Sequence, residues 1–337
     1  MWKGTRCAII SIVMLCSCSD NRLKVDTANT KLEPVLIQRL DRDLFAMNPA
    51  AIAEQTPLLL KKYGNYYSSF LSNVINKGDV HDSIYKALAY FIEDKDLKEV
   101  YADVQKIYTD EETTKMAAEF TQAFTYFRYH FPTAEVPKYY TTYISGWNYN
   151  FTSVDSTLGI GLDMYLGAGS KYYQMLQYAN YRTRQMTKDY IVSDAMKFWL
   201  VHTFDKNEPV NNLLNHLIFY GKLYYCLDAV LPDKPDSIKI SYSSEQLNYC
   251  KKFEKNIWAY FTEKDRLYNN DLKEISQYTV EGPFTSAISK ECPPRIAMWV
   301  GWQIVRAYMN KHRDITLEQL MNNNDPQKIL VGSKYKP

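Results

Sequence analysis

The sequence predicts a predominantly α-helical α+β fold with a few short strands. From residue 49 onward, apolar residues recur mostly at three- and four-residue steps, which is the spacing of amphipathic helices. Residues 136–144 interrupt this pattern with β-branched and aromatic residues, and residues 158–165 form a second strand candidate bracketed by glycines. Neither a repeat nor a change of composition divides the chain after residue 34, so we expect one body over residues 34–337.

The N-terminus has the pattern of a bacterial lipoprotein signal. Lys3 and Arg6 supply positive charge, and residues 7–15 form an apolar run that is too short to span a bilayer. In Leu15-Cys16-Ser17-Cys18, a Leu stands three residues before Cys18 and a small residue directly before it. Cys16 fits worse, because bulky Leu15 would occupy the position before the modified cysteine.

Cys18 is therefore predicted to carry the lipid after a signal peptide over residues 1–17 is removed. Residues 18–33 are polar without periodicity, which predicts the lipidated cysteine followed by a flexible tether. The acyl chains would hold the protein on a membrane of the cell envelope. We expect the body to face the periplasm.

The remaining elements follow in chain order. An apolar run at residues 34–40 predicts a strand, and residues 41–45 predict a short helix. Ser243-Ser-Glu-Gln246 is a capping-box pattern, which indicates the start of a helix. Helical patterns extend over residues 49–130, 184–203, 210–231, 243–263, 294–311 and 316–321.

Composition and motifs argue against several classes of site. The formal net charge of +2 is too small for a nucleic-acid footprint. Residues 158–167 are rich in glycine but lack the Lys-Ser/Thr pair of a phosphate loop, so no nucleotide is expected. The sequence shows neither a metal-ligand spacing of His and Cys nor a G-x-S-x-G nucleophile motif. It predicts no metal, no cofactor and no catalytic residue.

Three cysteines remain after the predicted cleavage and lipidation, namely Cys226, Cys250 and Cys292. An odd number in an oxidising compartment allows one disulfide with one free thiol. Three buried free thiols are the alternative, and both arrangements remain open at this stage.

Several charged residues stand among apolar ones: Asp163, Asp194, Lys197, Lys222, Asp228 and Arg295. Because a buried charge is costly unless it is paired, these residues lie either on solvated faces or in an internal network. We favour a structural role over catalysis, and Asp194 and Lys197 have the spacing of a pair on one helix. Aromatic clusters around Trp147 and Trp302 predict core packing, with a ligand or partner groove as the alternative.

Several stretches are specific enough to resemble a known family. One is Gly161-Leu-Asp-Met-Tyr-Leu-Gly167; the others cover residues 35–45, 191–197, 212–222, 294–309 and 333–337. Together with the lipoprotein signal, their order resembles the GldB family of gliding-motility lipoproteins of Bacteroidetes-type bacteria, over nearly the whole chain. The resemblance implies an envelope protein required for gliding, a process linked to the type IX secretion apparatus, with envelope proteins as partners. Relatives also occur in species that do not glide.

The order of elements is also similar, more distantly, to lipoprotein relatives of zincin-like peptidases. Those proteins hold zinc with H-E-x-x-H on one helix and a Glu-Gly pair on a later one. Aligning Ser193-Asp-Ala-Met-Lys197 and Tyr220-Gly221 with these motifs leaves Asp194 as the only carboxylate. Ser193, Lys197 and Tyr220 are poor ligands, so the resemblance implies a degenerate zincin-like body that has lost its metal site.

Asp-Ser/Thr followed by a small or aliphatic residue resembles the O-glycosylation sequon of Bacteroidetes envelope proteins. The pattern occurs at Thr27, Ser83, Ser156 and Ser237. We expect Thr27 in the tether and Ser237 in a proline-rich loop to be the most exposed acceptors.

The leading hypothesis is a non-catalytic, lipid-anchored component of an envelope machine that acts through protein–protein contacts. An envelope hydrolase, either zincin-like or with scattered catalytic residues, is the second hypothesis. The third is a lipoprotein that binds a glycan or a peptide in an aromatic pocket near Trp147 or Trp302.

Overall fold

The structure is a computed structural model that describes residues 23–75, 81–205 and 212–337, with residues 81–83 described by their backbone alone. Helices dominate and one small sheet accompanies them, which confirms the predicted, predominantly helical α+β class. The strands are β1 (Ile37–Arg39), β2 (Tyr139–Tyr143), β3 (Phe151–Val154) and β4 (Thr157–Gly161). The α-helices are α1 (Leu40–Phe45), α2 (Ile52–Tyr63), α3 (Asn65–Phe70), α4 (His81–Glu93), α5 (Lys95–Ile107), α6 (Asp110–His130), α7 (Lys171–Met175), α8 (Asn180–Thr183), α9 (Ile191–Phe204), α10 (Leu213–Val230), α11 (Asp236–Ile240), α12 (Ser244–Lys252), α13 (Glu254–Thr262), α14 (Leu272–Thr279), α15 (Ile296–Lys311), α16 (Leu317–Asn322) and α17 (Pro326–Ser333).

The sheet has the strand order β1-β2-β4-β3. β1 and β4 both run parallel to β2, whereas β3 pairs antiparallel with β4 as a hairpin. Helices α1 to α6 form the crossover from β1 to β2, as parallel strands require. The sequence did not predict β3, because this edge strand is half-buried along its whole length and lacks a clear alternation of polar and apolar residues.

Helix α6 is the long axis of the main core. The Thr109 side chain caps it by accepting a hydrogen bond from the Glu112 backbone N–H, and acidic residues fill its first turn. Its apolar face carries Phe120, Phe124 and Phe127, and these residues are fully buried. The helix has 21 residues, so it is about 30 Å long.

Helices α10 and α15 cross at close range in the centre of the main core. A Cβ atom at Gly301 would lie 1.8 Å from the Leu217 carbonyl oxygen, and one at Gly221 would lie 2.3 Å from the Gly301 carbonyl oxygen. Only glycine permits this approach, so the two glycines explain why these helices pack backbone to backbone.

A second, smaller core lies among helices α1 to α4. Its buried side chains come from residues 40–92, together with Tyr143 of β2. Phe45 and Phe91 pack against both cores and join them. None of the helices in the described ranges is long and apolar enough to cross a membrane.

Several predicted element bounds differ from those in the structure. The helix expected from residue 184 begins only at Ile191, because short turns precede it and Arg184 is drawn away by hydrogen bonds to the Ser241 carbonyl and the Gln246 side chain. The helix predicted over residues 243–263 divides into α12 and α13 at Phe253. Helix α17 was not predicted, although Asp325 caps it and Pro326 occupies its first position.

Much of the predicted tether lies on the body. Leu23, Val25 and Leu32 pack against the main core, and Lys24 forms a 2.7 Å ion pair with Asp233. The Val35 backbone N–H then donates to the Thr121 hydroxyl of α6 at 2.9 Å. Apolar residues among the polar ones account for this docking, so the described part of the tether is bound to the body instead of free. Residues 18–22 lie outside the described residues.

Candidate functional site

The segment Gly161–Gly167 follows β4 and brings two side chains into the interior. A Cβ atom at Gly161 would lie 2.1 Å from the Tyr149 carbonyl oxygen, and Gly167 has a φ of +101°. Both positions therefore favour glycine. Between them, a short 3₁₀ turn over Leu162–Met164 directs Asp163 inward, and Tyr165 follows it. The local conformation explains why this stretch is distinctive in the sequence.

Asp163 is fully buried and holds the turn after β2. Its carboxylate accepts hydrogen bonds from the Ser145 backbone N–H at 3.0 Å and from the Trp147 backbone N–H at 2.6 Å. Burial raises the pKa of Asp163 to about 6, against the opposing effect of these hydrogen bonds. Trp147 has a φ of 62°, a strained conformation that the carboxylate stabilises from inside. The geometry gives Asp163 a structural role.

Tyr165 lies at the centre of a polar group that we call the Tyr165 cluster, which consists of Asn150, Tyr165, Asp194, Lys197 and Ser241. The Tyr165 hydroxyl donates to Asp194 Oδ2 at 3.1 Å and accepts from Asn150 Nδ2 at 3.1 Å. Lys197 Nζ lies 2.7 Å from Asp194 Oδ1 and 3.3 Å from the Ser241 hydroxyl. The predicted pair of Asp194 and Lys197 is thus present.

The Tyr165 cluster has a buried side and a partly exposed side. Burial raises the pKa of the Tyr165 phenol well above its usual value, and the Asp194 charge adds to this effect. The side chains of Asp194 and Lys197 are 20% and 23% exposed. A protein or ligand from outside would therefore meet the ion pair first.

The other two residues of the zincin-like alignment lie elsewhere. Ser193 is fully buried, and its hydroxyl donates to the Ile238 carbonyl of α11 at 3.5 Å. Tyr220 stacks on His216, one turn earlier on α10. The structure brings together Asp194 and Lys197 of the predicted set, while Ser193 and Tyr220 contact other elements.

A second charged group, the Asp228 network, centres on the buried carboxylate of Asp228 in the main core. Asp228 Oδ1 accepts from Lys239 Nζ at 2.9 Å, and Oδ2 accepts from Trp302 Nε1 at 2.9 Å. Arg306 donates two 2.8 Å hydrogen bonds to Asp228 and two more to Asp236. Two carboxylates therefore balance two cations. The sequence singled out Asp228 but missed Lys239 and Arg306. The only sequence feature that could have indicated them was a cation on the short helix α11 and one on the largely apolar helix α15.

The other charged residues singled out from the sequence also have internal partners. Lys222 Nζ donates to the carbonyl oxygens of Met321 and Asn323 at 3.2 Å and 3.0 Å. Arg295 forms a 2.7 Å ion pair with Glu281 at the start of α15. Of the two alternatives from the sequence, an internal network therefore describes these charged residues better than solvated faces do.

The comparison with protein families covers nearly the same residues as the structure. The family model of the gliding motility protein GldB matches residues 20–337. The chain belongs to the GldB family. This membership confirms the resemblance seen in the sequence and indicates a lipoprotein of the cell envelope that takes part in gliding motility.

No curated protein and no solved structure matches the chain. The zincin-like resemblance of this GldB-family chain therefore stays a prediction. Within the described residues, no group of three or more His, Cys, Asp or Glu side chains is arranged to hold a metal ion.

The three cysteines of the GldB-family body are buried and free. Burial raises the pKa of each thiol, that of Cys292 to about 12, so none is a reactive thiolate at neutral pH. Of the two alternatives from the sequence, the structure has the three free thiols.

The aromatic clusters and the glycosylation patterns can be placed only in part. Trp302 is fully buried beneath Arg306, so it lines no groove, whereas Trp147 is half-buried against Tyr172. Ser237 lies in α11 instead of a loop and is half-buried, and Asp236 beside it pairs with Arg306. Thr27 and Ser156 are also half-buried, and the Ser83 side chain and Cys18 lie outside the described residues.

Proposed function

We propose that this GldB-family chain is a non-catalytic component of the gliding machinery and its linked type IX secretion apparatus, anchored through lipid on Cys18. It presents its body to partner proteins from the periplasmic side of a membrane. The observation that carries the proposal is the Tyr165 cluster, in which the charged groups neutralise one another.

A general acid, a general base or a metal ligand needs a polar atom that is available to the substrate or the ion. Both oxygens of Asp194, the one carboxylate left in the zincin-like alignment, are already engaged by Lys197 and Tyr165. An i, i+3 ion pair also holds the first turns of α9 in place. These contacts support a structural role for Asp194.

Two substitutions at Asp194 separate a structural role from a catalytic one. Asp194→Asn keeps the side-chain shape and a hydrogen bond, so we expect gliding to persist. Asp194→Ala leaves Lys197 without its carboxylate, and we expect it to lower the free energy of unfolding by about 1 kcal/mol. Loss of gliding in Asp194→Asn at unchanged protein level and thermal stability would contradict the proposal. Stoichiometric zinc in the purified protein would favour the hydrolase alternative.

The anchor and the partners are tested in intact cells. We expect Cys18→Ala to leave the membrane fraction and to lose the envelope proteins that crosslink to the native chain. A Cys18→Ala protein that stays in the membrane fraction with the same crosslinked partners argues against anchoring through this residue.

A groove near the C-terminus favours glycan or peptide binding as a second function. It has a volume of ≈ 720 Å³ and lies between α13 and the C-terminal residues, with aromatic side chains from Trp258, Tyr268 and Tyr335 in its wall. Aromatic rings beside polar groups suit the stacking of sugars or peptide side chains. Trp258→Ala is expected to abolish the binding of soluble peptidoglycan fragments, as measured by calorimetry, if the groove has this function.

A further inference from the structure

The chain enters the body at the C-terminal end of α6. Leu23 lines a cavity of ≈ 500 Å³ there, together with Tyr129, His130 and Pro132 of the α6 end and with Arg313 and Ile315 beyond α15. We propose that this end of the body, which we call the entry face, rests on the lipid headgroups of the anchoring membrane. The inference rests on the proposed lipidation of Cys18.

The length of the chain before the body sets how far the entry face can lie from the lipid. Five peptide units separate Cys18 from Leu23. Even when fully extended, five residues span at most about 18 Å. The headgroup layer on one side of a bilayer is about 5–8 Å thick, which leaves at most about 10–13 Å between its outer surface and Leu23. The entry face therefore lies against or close to the membrane surface.

The opposite, N-terminal end of α6 cannot lie at the membrane surface as well. From Leu23 the chain follows α6 backwards. Lys24 pairs with Asp233, which lines a cavity with Glu119 from the middle of the helix. The Val35 N–H then reaches Thr121 on the same part of α6. It then forms β1 and α1 near the first turn of α6, where Arg42 pairs with Asp110. The full helix separates these two ends by about 30 Å.

The Tyr165 cluster belongs to the end that lies away from the membrane. Tyr108, just before α6, donates from its hydroxyl to the Tyr165 carbonyl at 2.6 Å. Lys188, just before α9, pairs with Glu112 in the first turn of α6. The proposed orientation thus raises the cluster to a height at which periplasmic proteins can reach it.

The composition of the entry face suits a headgroup layer, although its charge does not select anionic lipid. Tyr129 is 44% exposed, and aromatic rings are common at this depth. Lys24 and Arg313 are exposed cations, but Glu318 and Asp233 lie beside them. Because the charges balance, we expect the orientation to be the same on neutral and on anionic vesicles.

A matched pair of labels on one helix tests the orientation. Tyr129→Cys and Glu111→Cys place thiols about 27 Å apart on α6, at positions that are exposed, while the native thiols are buried. The full lipidated chain carries a fluorophore at either position and is inserted into phosphatidylcholine vesicles with nitroxide-labelled headgroups. We expect at least threefold stronger quenching at position 129. Arg313→Cys provides a second label on the entry face if Tyr129→Cys folds poorly.

The outcomes separate this inference from the proposed function. Equal quenching at both positions, or stronger quenching at position 111, would overturn the orientation while the anchor stands. A native protein whose mass shows no lipid would overturn the anchor itself. Insertion of about twenty Gly/Ser residues after Cys18 is expected to keep the protein on the vesicles and to remove the difference between the two labels.

Discussion

At the scale of single residues, Asp228 illustrates how a charge is kept inside an apolar helix. The side chain is 8% exposed and contacts Lys239, Trp302 and Arg306. Burying a charged group costs several kcal/mol in lost hydration free energy. The attraction between the buried groups offsets this cost only when every member of the network is present. The loss of one member is therefore worse than the absence of the whole network.

We predict that Asp228→Asn lowers the free energy of unfolding by about 3–5 kcal/mol. The buried Lys239 would lose its carboxylate, and the partly exposed Arg306 would keep only its pair with Asp236. Denaturant titration of the purified body measures the effect. Asp233→Asn is the matched control, since it breaks the exposed pair with Lys24 and is expected to leave the denaturation midpoint almost unchanged. Similar losses in the two variants would contradict the role of burial.

Residue pairs were predictable from the sequence only within one helix. Asp194 and Lys197 were expected to pair from their spacing, and they do at 2.7 Å. The partners of Asp228 come from α11 and α15, and which cation meets a carboxylate across elements depends on packing that periodicity does not encode. Asp163 is similar, because its main partners are backbone N–H groups of another loop.

At the scale of elements, the close crossing of α10 and α15 depends on glycine, which has no side chain, at positions 221 and 301. Alanine normally stabilises a helix relative to glycine by up to about 1 kcal/mol. At Gly301 the added methyl group would meet backbone atoms of Leu217, which cannot rotate away as a side chain can. Steric exclusion therefore outweighs helix propensity at this position.

We predict that Gly301→Ala lowers the free energy of unfolding by about 2–3 kcal/mol, because α10 and α15 must separate to admit the methyl group. Thermal and denaturant unfolding measure the change. Gly169→Ala is the control, since nothing lies within 4 Å of its added Cβ atom, and we expect a change within about 0.5 kcal/mol. A stabilised Gly301→Ala protein would show that the helices adjust freely.

Long periodic helices were predictable, and short or irregular elements were not. Helix α6 falls within the helical pattern predicted over residues 49–130, and the predicted capping box at Ser243 marks the start of α12. The break at Phe253 was missed because apolar residues continue on both sides of it. The strand β3 was missed because all four of its residues are half-buried, so no alternation of polar and apolar residues marks it in the sequence.

At the scale of the whole molecule, the described residues form two cores of unequal size, and Phe45 and Phe91 pack against both. The smaller core among α1 to α4 contains a glycine break with a φ of 56° at Gly64 and a π-helical turn over Leu71–Ile75. Regions with fewer buried contacts open at lower free-energy cost than the main core. The single body over residues 34–337 stays a prediction, whereas the two clusters are an observation.

We predict that amides of α2 and α3 exchange with solvent at least tenfold faster than those of α10 and α15, because the smaller core opens by itself. Hydrogen exchange followed by mass spectrometry of peptic fragments measures the difference. Helix α6, which belongs to the main core, is the internal control and is expected to exchange slowly. Uniform exchange across these helices would indicate a single cooperative unit.

The candidate site could be predicted only in part, because four separate elements build it. The sequence singled out the segment Gly161–Gly167 and the pair on α9 independently. It did not show that the Tyr165 hydroxyl joins them, nor that Asn150 and Ser241 complete the cluster. The Tyr165 cluster depends on how the β3–β4 hairpin, α9 and the turn after α11 are placed relative to one another.

The docking of residues 23–35 along α6 has a mechanical consequence for a protein of a motile apparatus. In the proposed lipid-anchored protein, tension on the anchor would enter at Leu23. It would load the contacts of residues 23–32 one after another, so that they detach singly instead of together. Release of residues 23–33 would free a segment whose fully extended length is at most about 36–40 Å, without unfolding either core. The docked segment can thus extend under tension before the folded body bears any load. Further tension would act on the pairing of β1 with β2 and begin to strain the body.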